Sequence, residues 1–247
     1  MKITSVNNDL IKETAKLLQK KYREESGLFI LEGEKGVSEA ISAGIEIKHI
    51  FALENIDINF DNIIEVSEQV MSKITETKSV PKIVAVAKQP TYDIKTLAEK
   101  NRVVLLESIK DAGNLGTILR TSSAFGVDGI VLFGDTVDLY NPKCVRSTVG
   151  NLWKTPVFHI KDFNDLERYF KHHEIIATLP KAENVIELKN YTPTNKTLLM
   201  FGSEADGLSN DLKEFATKNL TIEMDSKVES LNLSISVGII LYKLSIN

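Results

Sequence analysis

The residues of this chain best suited to chemistry lie in three short polar segments, each following an apolar run. Residues Leu198 to Leu208 read LLMFGSEADGL, so Gly202 and Glu204 come directly after the apolar stretch. Residues Asn219 to Leu244 read NLTIEMDSKVESLNLSISVGIILYKL and place Ser230 and Asn232 before a long apolar run. Residues Leu105 to Leu132, LLESIKDAGNLGTILRTSSAFGVDGIVL, carry Asn114 and Arg120. Polar groups gathered where a strand gives way to a helix are how α/β proteins build ligand sites at strand C-termini. Taken singly, each has a purely structural explanation: Asn114 and Ser230 as helix caps, Glu204 as a turn residue, Arg120 as a solvated side chain. Only the combination points to a site. The pattern G-x-E-x-x-G differs from the dinucleotide fingerprint G-x-G-x-x-G, and no G-x-x-x-x-G-K-[ST] occurs, which argues against a nucleotide-dependent oxidoreductase.

The elements that must position these groups follow from local pattern. Val103 to Leu106 reads as a strand, Asn114 as an N-cap, and Leu115, Ile118, Leu119 and Phe125 keep helical spacing until Gly126. Gly129 to Phe133 resumes as strand, which completes a βαβ unit. Ser209 is placed to cap a helix running to Phe215, and Gly207 to take a conformation other residues resist. From Leu231 to Leu244 the apolar residues cover nearly the whole helix circumference, so this helix is expected to be buried against the sheet or another subunit. It is too short and too interrupted by Ser and Gly to cross a membrane.

Before this region, GLFILEG, KHIFAL, NIIEVS and KIVAVAK read as short strands interleaved with helices at Lys35 to Ala43 and Glu68 to Thr75. That predicts an α/β module over residues 1–90, a connector around Pro90 spanning 91–99, and a second domain over 100–247. Among the first residues, Lys12, Lys16 and Lys20 recur every four positions and, with Lys21 and Arg23, form a candidate basic face. With a net charge of −4, phosphate contacts would have to be local in this way. At 247 residues, 43% hydrophobic and 26% charged, the composition is that of a folded chain with a substantial core. Cys144 is the single cysteine and Met1 to Leu18 has no sustained apolar run, so a reducing cytoplasm is the expected location. The four histidines lie outside ligand spacing and no metal site is expected; adjacent His172 and His173 read as a solvated helix surface.

With the three segments in order, D-x-x-N-x-G-x-x-x-R at Asp111 to Arg120, G-x-E-x-x-G-L at Gly202 to Leu208 and S-L-N-x-S at Ser230 to Ser234, the chain resembles the SpoU/TrmH family of RNA ribose 2'-O-methyltransferases in the SPOUT superfamily. KYREESGLFILEGEKGVSEAI, at Lys21 to Ile41, looks like the substrate-binding domain that precedes the methyltransferase in its ribosomal RNA members. The resemblance implies a knotted (trefoil) α/β catalytic domain with a parallel sheet, an L30e-like domain before it, and a homodimer formed through the C-terminal domain. It also implies S-adenosylmethionine (SAM) as cofactor, held by Gly202, Ile222 and Leu231 with Leu179, Met224 and Ser234 nearby, and Asn114, Arg120, Glu204 and Asn232 as catalytic residues. In that reading Glu204 orients Arg120, while Lys12, Lys16, Lys20, Lys21, Arg23 and Arg146 contact RNA. Asn114 and Arg120 lie about 120° apart around a helix, so Arg120 must reach back to share a site. Ribosomal RNA is the expected substrate; transfer RNA, and a non-catalytic RNA-binding protein of the same fold, are the alternatives.

Overall fold

In the computed structural model, which describes residues 2–54, 56, 58, 60–61, 63–77, 79–180 and 184–245, the apolar runs of the first half pair into a four-stranded sheet. This first unit comprises Met1–Thr91 together with Asp138–Trp153. Its elements are α1 (Asp9–Lys16), α2 (Lys20–Ser26), β1 (Leu28–Glu32), α3 (Glu34–Ser42), β2 (Ile47–Ala52), β3 (Ile63–Glu65), α4 (Glu68–Lys73), β4 (Ile83–Lys88) and α6 (Pro142–Ser147). The strand order is β1-β4-β2-β3, with β4 antiparallel to both neighbours and β3 parallel to β2. Inward-facing Ile30, Phe51 and Val84 pack on Ile11, Val70 and Ile74. Asn62, the first residue of the expected NIIEVS strand, lies outside the described residues.

The basic face takes a different form from the one expected. The chain turns between Lys16 and Lys20, so Lys20 belongs to a second helix and the four-residue spacing does not describe one face. Each lysine has an acidic neighbour: Lys12 with Asp9 at 3.4 Å, Lys16 with Glu13 at 2.6 Å, Lys20 with Glu24 at 3.6 Å and Lys21 with Glu25 at 3.9 Å. Arg23 is not presented to solvent at all. It is 2% exposed, pairs with Asp138 at 2.6 Å through Nη2, and donates from Nη1 to the Leu17 carbonyl at 2.7 Å. This buried pair, with the Phe29 and Tyr140 rings 4.7 Å apart, ties residues 138–153 into the first unit. Arg23→Lys is expected to lower the unfolding free energy by about 1–3 kcal/mol, because an ammonium cannot reproduce these directed N–H bonds and leaves the Leu17 carbonyl unsatisfied. Urea denaturation checks this; an unchanged midpoint would show the pair to be dispensable.

The second unit, Tyr92–Val137 with Lys154–Asn247, is built on a seven-stranded parallel sheet. Its strands are β5 (Arg102–Glu107), β6 (Gly129–Phe133), β7 (Val157–Ile160), β8 (Glu174–Thr178), β9 (Ile186–Glu187), β10 (Thr197–Phe201) and β11 (Lys218–Thr221). They stand in the order β7-β6-β5-β10-β8-β11-β9. Strands buried on both faces read as continuous apolar runs, as Val103–Leu106 and Leu198–Phe201 do. The chain builds the sheet outward from β5 through β6 to β7, then returns so that β10 inserts between β5 and β8. Such a reversal opens a crevice at the strand C-termini.

Helices α5 (Ala112–Ala124), α7 (Phe163–Phe170), α8 (Asn210–Phe215) and α9 (Leu233–Ser245) cover the sheet. Residues 91–99 are not a free linker: Ile94–Glu99 forms a 3-10 helix whose Leu97 is fully buried in the core of this unit. His173 is likewise not on a solvated helix face. It follows α7, is buried, and places Nε2 2.8 Å from the Lys100 carbonyl; burial lowers its pKa from the ordinary histidine value. The C-terminal helix is not buried all round. Val237, Ile240, Leu241 and Leu244 are covered, whereas Ile235, Ile239 and Tyr242 are 53%, 37% and 57% exposed.

Candidate active site

The C-terminal ends of β8, β10 and β11 open into a cavity of 730 Å³ bounded by the loops that follow them and by the start of α9. Thr178, Leu179 and Pro180 come from the end of β8, Phe201 to Leu208 from the loop after β10, and Leu220, Ile222 and Met224 from β11 and beyond. Residues 229–233 close the remaining side. The volume falls in the range of about 300–1,000 Å³ typical of small-molecule sites.

The loop after β10 is held in one shape by its own backbone. Ser203 and Gly207 exchange amide bonds at 3.2 and 3.1 Å, the Ser203 hydroxyl accepts from the Asp206 amide at 3.0 Å, and Gly207 sits at φ +67. A Cβ on Gly202 would lie 2.0 Å from the Gly207 carbonyl carbon and 2.2 Å from the Leu208 nitrogen. Only glycine permits this approach. At the far end of the loop, the buried carboxylate of Glu107 accepts from the Ser209 amide at 2.7 Å, fixing where α8 begins.

Three of the four expected catalytic residues meet beside this cavity. Asp111, not Asn114, caps α5 by accepting from the Asn114 amide at 2.8 Å, which frees the Asn114 side chain. Asn114 Nδ2 donates to Glu204 Oε1 at 2.7 Å, and Asn232 Nδ2 donates to Asn114 Oδ1 at 3.2 Å. Asn232, not Ser230, caps α9: its Oδ1 accepts from the Ser234 amide at 2.9 Å, the Ser234 hydroxyl at 2.7 Å and the Ile235 amide at 3.4 Å. Those donors fix which way the Asn232 amide faces. The orientation passes to Asn114 and then to Glu204, so one carboxylate oxygen is engaged by an amide whose own direction is set from α9.

Arg120 stands apart. It is exposed on α5 and makes no side-chain hydrogen bond or ion pair among the described residues. Glu204 therefore partners Asn114, not Arg120, as the helical angle between the two positions on α5 requires. Of the six residues expected around the cofactor, Leu179, Gly202, Ile222, Met224 and Leu231 line the cavity. Ser234 does not; it is buried and engages Asn232 from behind. The sequence reading passed over Lys213, Glu229 and Ser236, which also line the cavity. Adjacency to S-L-N-x-S was the available signal for Glu229 and Ser236, and nothing in local pattern singled out Lys213. The residues present fit SAM: aliphatic walls suit an adenine and a thioether-bearing chain, and strand-end backbone supplies hydrogen bonds. Arg146, on α6 in the first unit, lies 3.1 Å from Glu32.

The SpoU rRNA Methylase family model matches residues 101–242, and an MRM3-like substrate binding domain matches residues 8–85. The chain is 30% identical to the 23S rRNA (guanosine(2553)-2'-O)-methyltransferase RlmP of Bacillus subtilis (strain 168), across 98% of each protein. It is 32% identical to an uncharacterized tRNA/rRNA methyltransferase of Synechocystis sp., across 98% of this chain and 92% of that one. Among solved structures, the AdoMet-bound rRNA methyltransferase from Sinorhizobium meliloti superposes with a TM-score of 0.86 at 28% identity, covering 98% of this chain and 96% of that one. With its cavity at the ends of a parallel sheet and its three polar segments in place, the chain belongs to the SpoU rRNA Methylase family and is a SAM-dependent RNA methyltransferase.

Proposed function

We propose that the chain transfers a methyl group from SAM to a ribose 2'-hydroxyl of 23S ribosomal RNA. The observation that carries this reading is the Glu204–Asn114–Asn232 chain of hydrogen bonds beside the cavity at the strand ends. The match to a substrate-binding domain over residues 8–85, and the activity of the Bacillus relative, favour ribosomal over transfer RNA. SAM, when bound, supplies a methyl group on a sulfonium. Leu179, Gly202, Ile222, Met224 and Leu231 hold it, and Asn114, Glu204 and Asn232 position the reacting ribose. Arg120 stabilises the charge that develops on the 2' oxygen; a guanidinium scarcely deprotonates, so its part is electrostatic and the proton passes to a phosphate or water.

The insertion of β10 between β5 and β8 is compatible with the knotted path of this superfamily. We read the first unit as an L30e-like domain that binds the RNA substrate, a reading supported by its match to a substrate binding domain. A homodimer forms through α9, where Ile235, Ile239 and Tyr242 make an apolar stripe that a second copy would cover. Ile235→Asp is expected to convert a dimer to a monomer in light scattering; an unaltered mass would remove α9 from the interface. No helix among the described residues is long and apolar enough to cross a membrane. A ribosomal RNA substrate would place the enzyme with ribosomes in the cytoplasm.

Mapping ribose methylation across total RNA from a strain lacking the protein tests the assignment. Loss at one 23S position supports it. Loss in transfer RNA would move the substrate, and no loss would favour the non-catalytic alternative.

A further inference from the structure

Lys213 is the single cationic side chain among the described residues that line the 730 Å³ cavity. It stands on α8, whose first turn is fixed in three ways. The Ser209 amide is held by Glu107 at 2.7 Å, the Ser209 hydroxyl accepts from the Leu212 amide at 3.4 Å, and Leu212 is fully buried in the core of the unit. The Lys213 amide donates to the Ser209 carbonyl at 3.0 Å, so the base of the side chain is set while the residue stays exposed. Among the described residues its ammonium has no hydrogen bond or ion pair.

Glu204, Asp206 and Glu229 line the same cavity, yet none of them pairs with Lys213. The neutral side-chain donors of the wall are largely spent. Thr178 gives its hydroxyl to the Met200 carbonyl at 2.8 Å, Ser236 gives its own to the Asn232 carbonyl at 3.3 Å, and Asn232 directs its amide nitrogen to Asn114 at 3.2 Å. SAM brings three charges to this wall. Its sulfonium and α-ammonium suit the carboxylates, whereas its α-carboxylate needs a donor, and a charged donor bonds it about twice as strongly as the hydroxyls of Ser203 or Ser230 could.

We propose that Lys213 anchors the α-carboxylate of SAM and so sets the specificity of the site for the amino-acid end of the cofactor. The inference rests on the assignment of this cavity to SAM, and adds to it the part of the ligand that meets α8. An exposed ammonium facing a carboxylate contributes modestly to affinity and is weakened by salt. What it provides is selectivity: a ligand that carries the carboxylate is favoured over one that is otherwise the same.

Calorimetric titration of the full-length protein with SAM and with decarboxylated SAM tests this. The second ligand keeps the adenosine, the sulfonium and the amine, and lacks only the carboxylate. The wild type is expected to bind SAM about 5-fold more tightly than decarboxylated SAM, the size of one exposed ion pair. In Lys213→Met, SAM affinity should fall about 5-fold while decarboxylated SAM binds no more weakly than before, which also shows that the pocket is still folded. Lys213→Arg should keep the wild-type preference, and added salt should shrink that preference in the wild type. An equal loss for both ligands in Lys213→Met would assign the side chain to packing and overturn the inference, as would no loss for either. Unchanged SAM preference with weakened RNA binding would overturn it in favour of an RNA phosphate as the partner. A wild type that binds neither ligand would overturn the assignment of the cavity to SAM itself.

Discussion

Arg120→Ala is expected to lower methyl transfer about 10²–10³-fold while leaving SAM affinity as in the wild type, the cost of removing one donor from a developing oxyanion. The separation of the two effects follows from geometry. Arg120 is exposed on α5, does not line the 730 Å³ cavity, and has no partner among the described residues whose loss would disturb the fold. Arg120→Lys should also be badly impaired, since an ammonium lacks the planar fork. Single-turnover methylation and calorimetric SAM binding, measured on the same preparations, decide the matter. Near-wild-type turnover in both variants would take Arg120 out of the reaction.

Gly202→Val is expected to abolish measurable SAM binding, and Gly202→Ala to do most of the same damage. The sequence suggested only that a β-branched side chain would intrude on the ligand. The structure makes the constraint more severe, because even a methyl group would sit 2.0–2.2 Å from the backbone of Gly207 and Leu208. Backbone cannot yield as the tip of a flexible side chain does, so the whole Gly202–Leu208 turn must move, carrying one wall of the cavity with it. Leu208, at the end of this turn, is part of the unit's hydrophobic core, so circular dichroism must show the fold retained before SAM affinity is read. A folded Gly202→Ala with wild-type SAM affinity would mean that the turn does not shape the site.

Much of the second unit was legible because its strands are continuous apolar runs bounded by turn residues. Gly129–Phe133 has the bounds expected of it, and Ser209 caps α8 as its position suggested. Caps were misread where two suitable residues lay a few positions apart. Asp111 and Asn114 are both good caps, and only the three-dimensional site shows that Asn114 is needed for Glu204 while Asp111 caps the helix. The same holds for Ser230 and Asn232. Arg23 was misassigned for another reason: its partner Asp138 is 115 residues away, and local charge spacing carries no trace of such a pair. Nor does local pattern show that residues 138–153 leave the second unit's chain to complete the first. The three segments could be recognised as a site from the order of their motifs. That they share one hydrogen-bond chain depends on β10 lying beside β5, a long-range fact of topology.

The central claim is tested most directly by incubating the purified full-length protein with SAM labelled in its methyl group and unmodified 23S ribosomal RNA, then digesting the RNA with alkali. Cleavage by alkali needs a free 2'-hydroxyl, so a ribose methyl survives as a labelled, alkali-resistant dinucleotide. The account predicts label in one such dinucleotide with the wild type and almost none with Arg120→Ala. Label released only as methylated mononucleotides would place the methyl on a base and contradict the account.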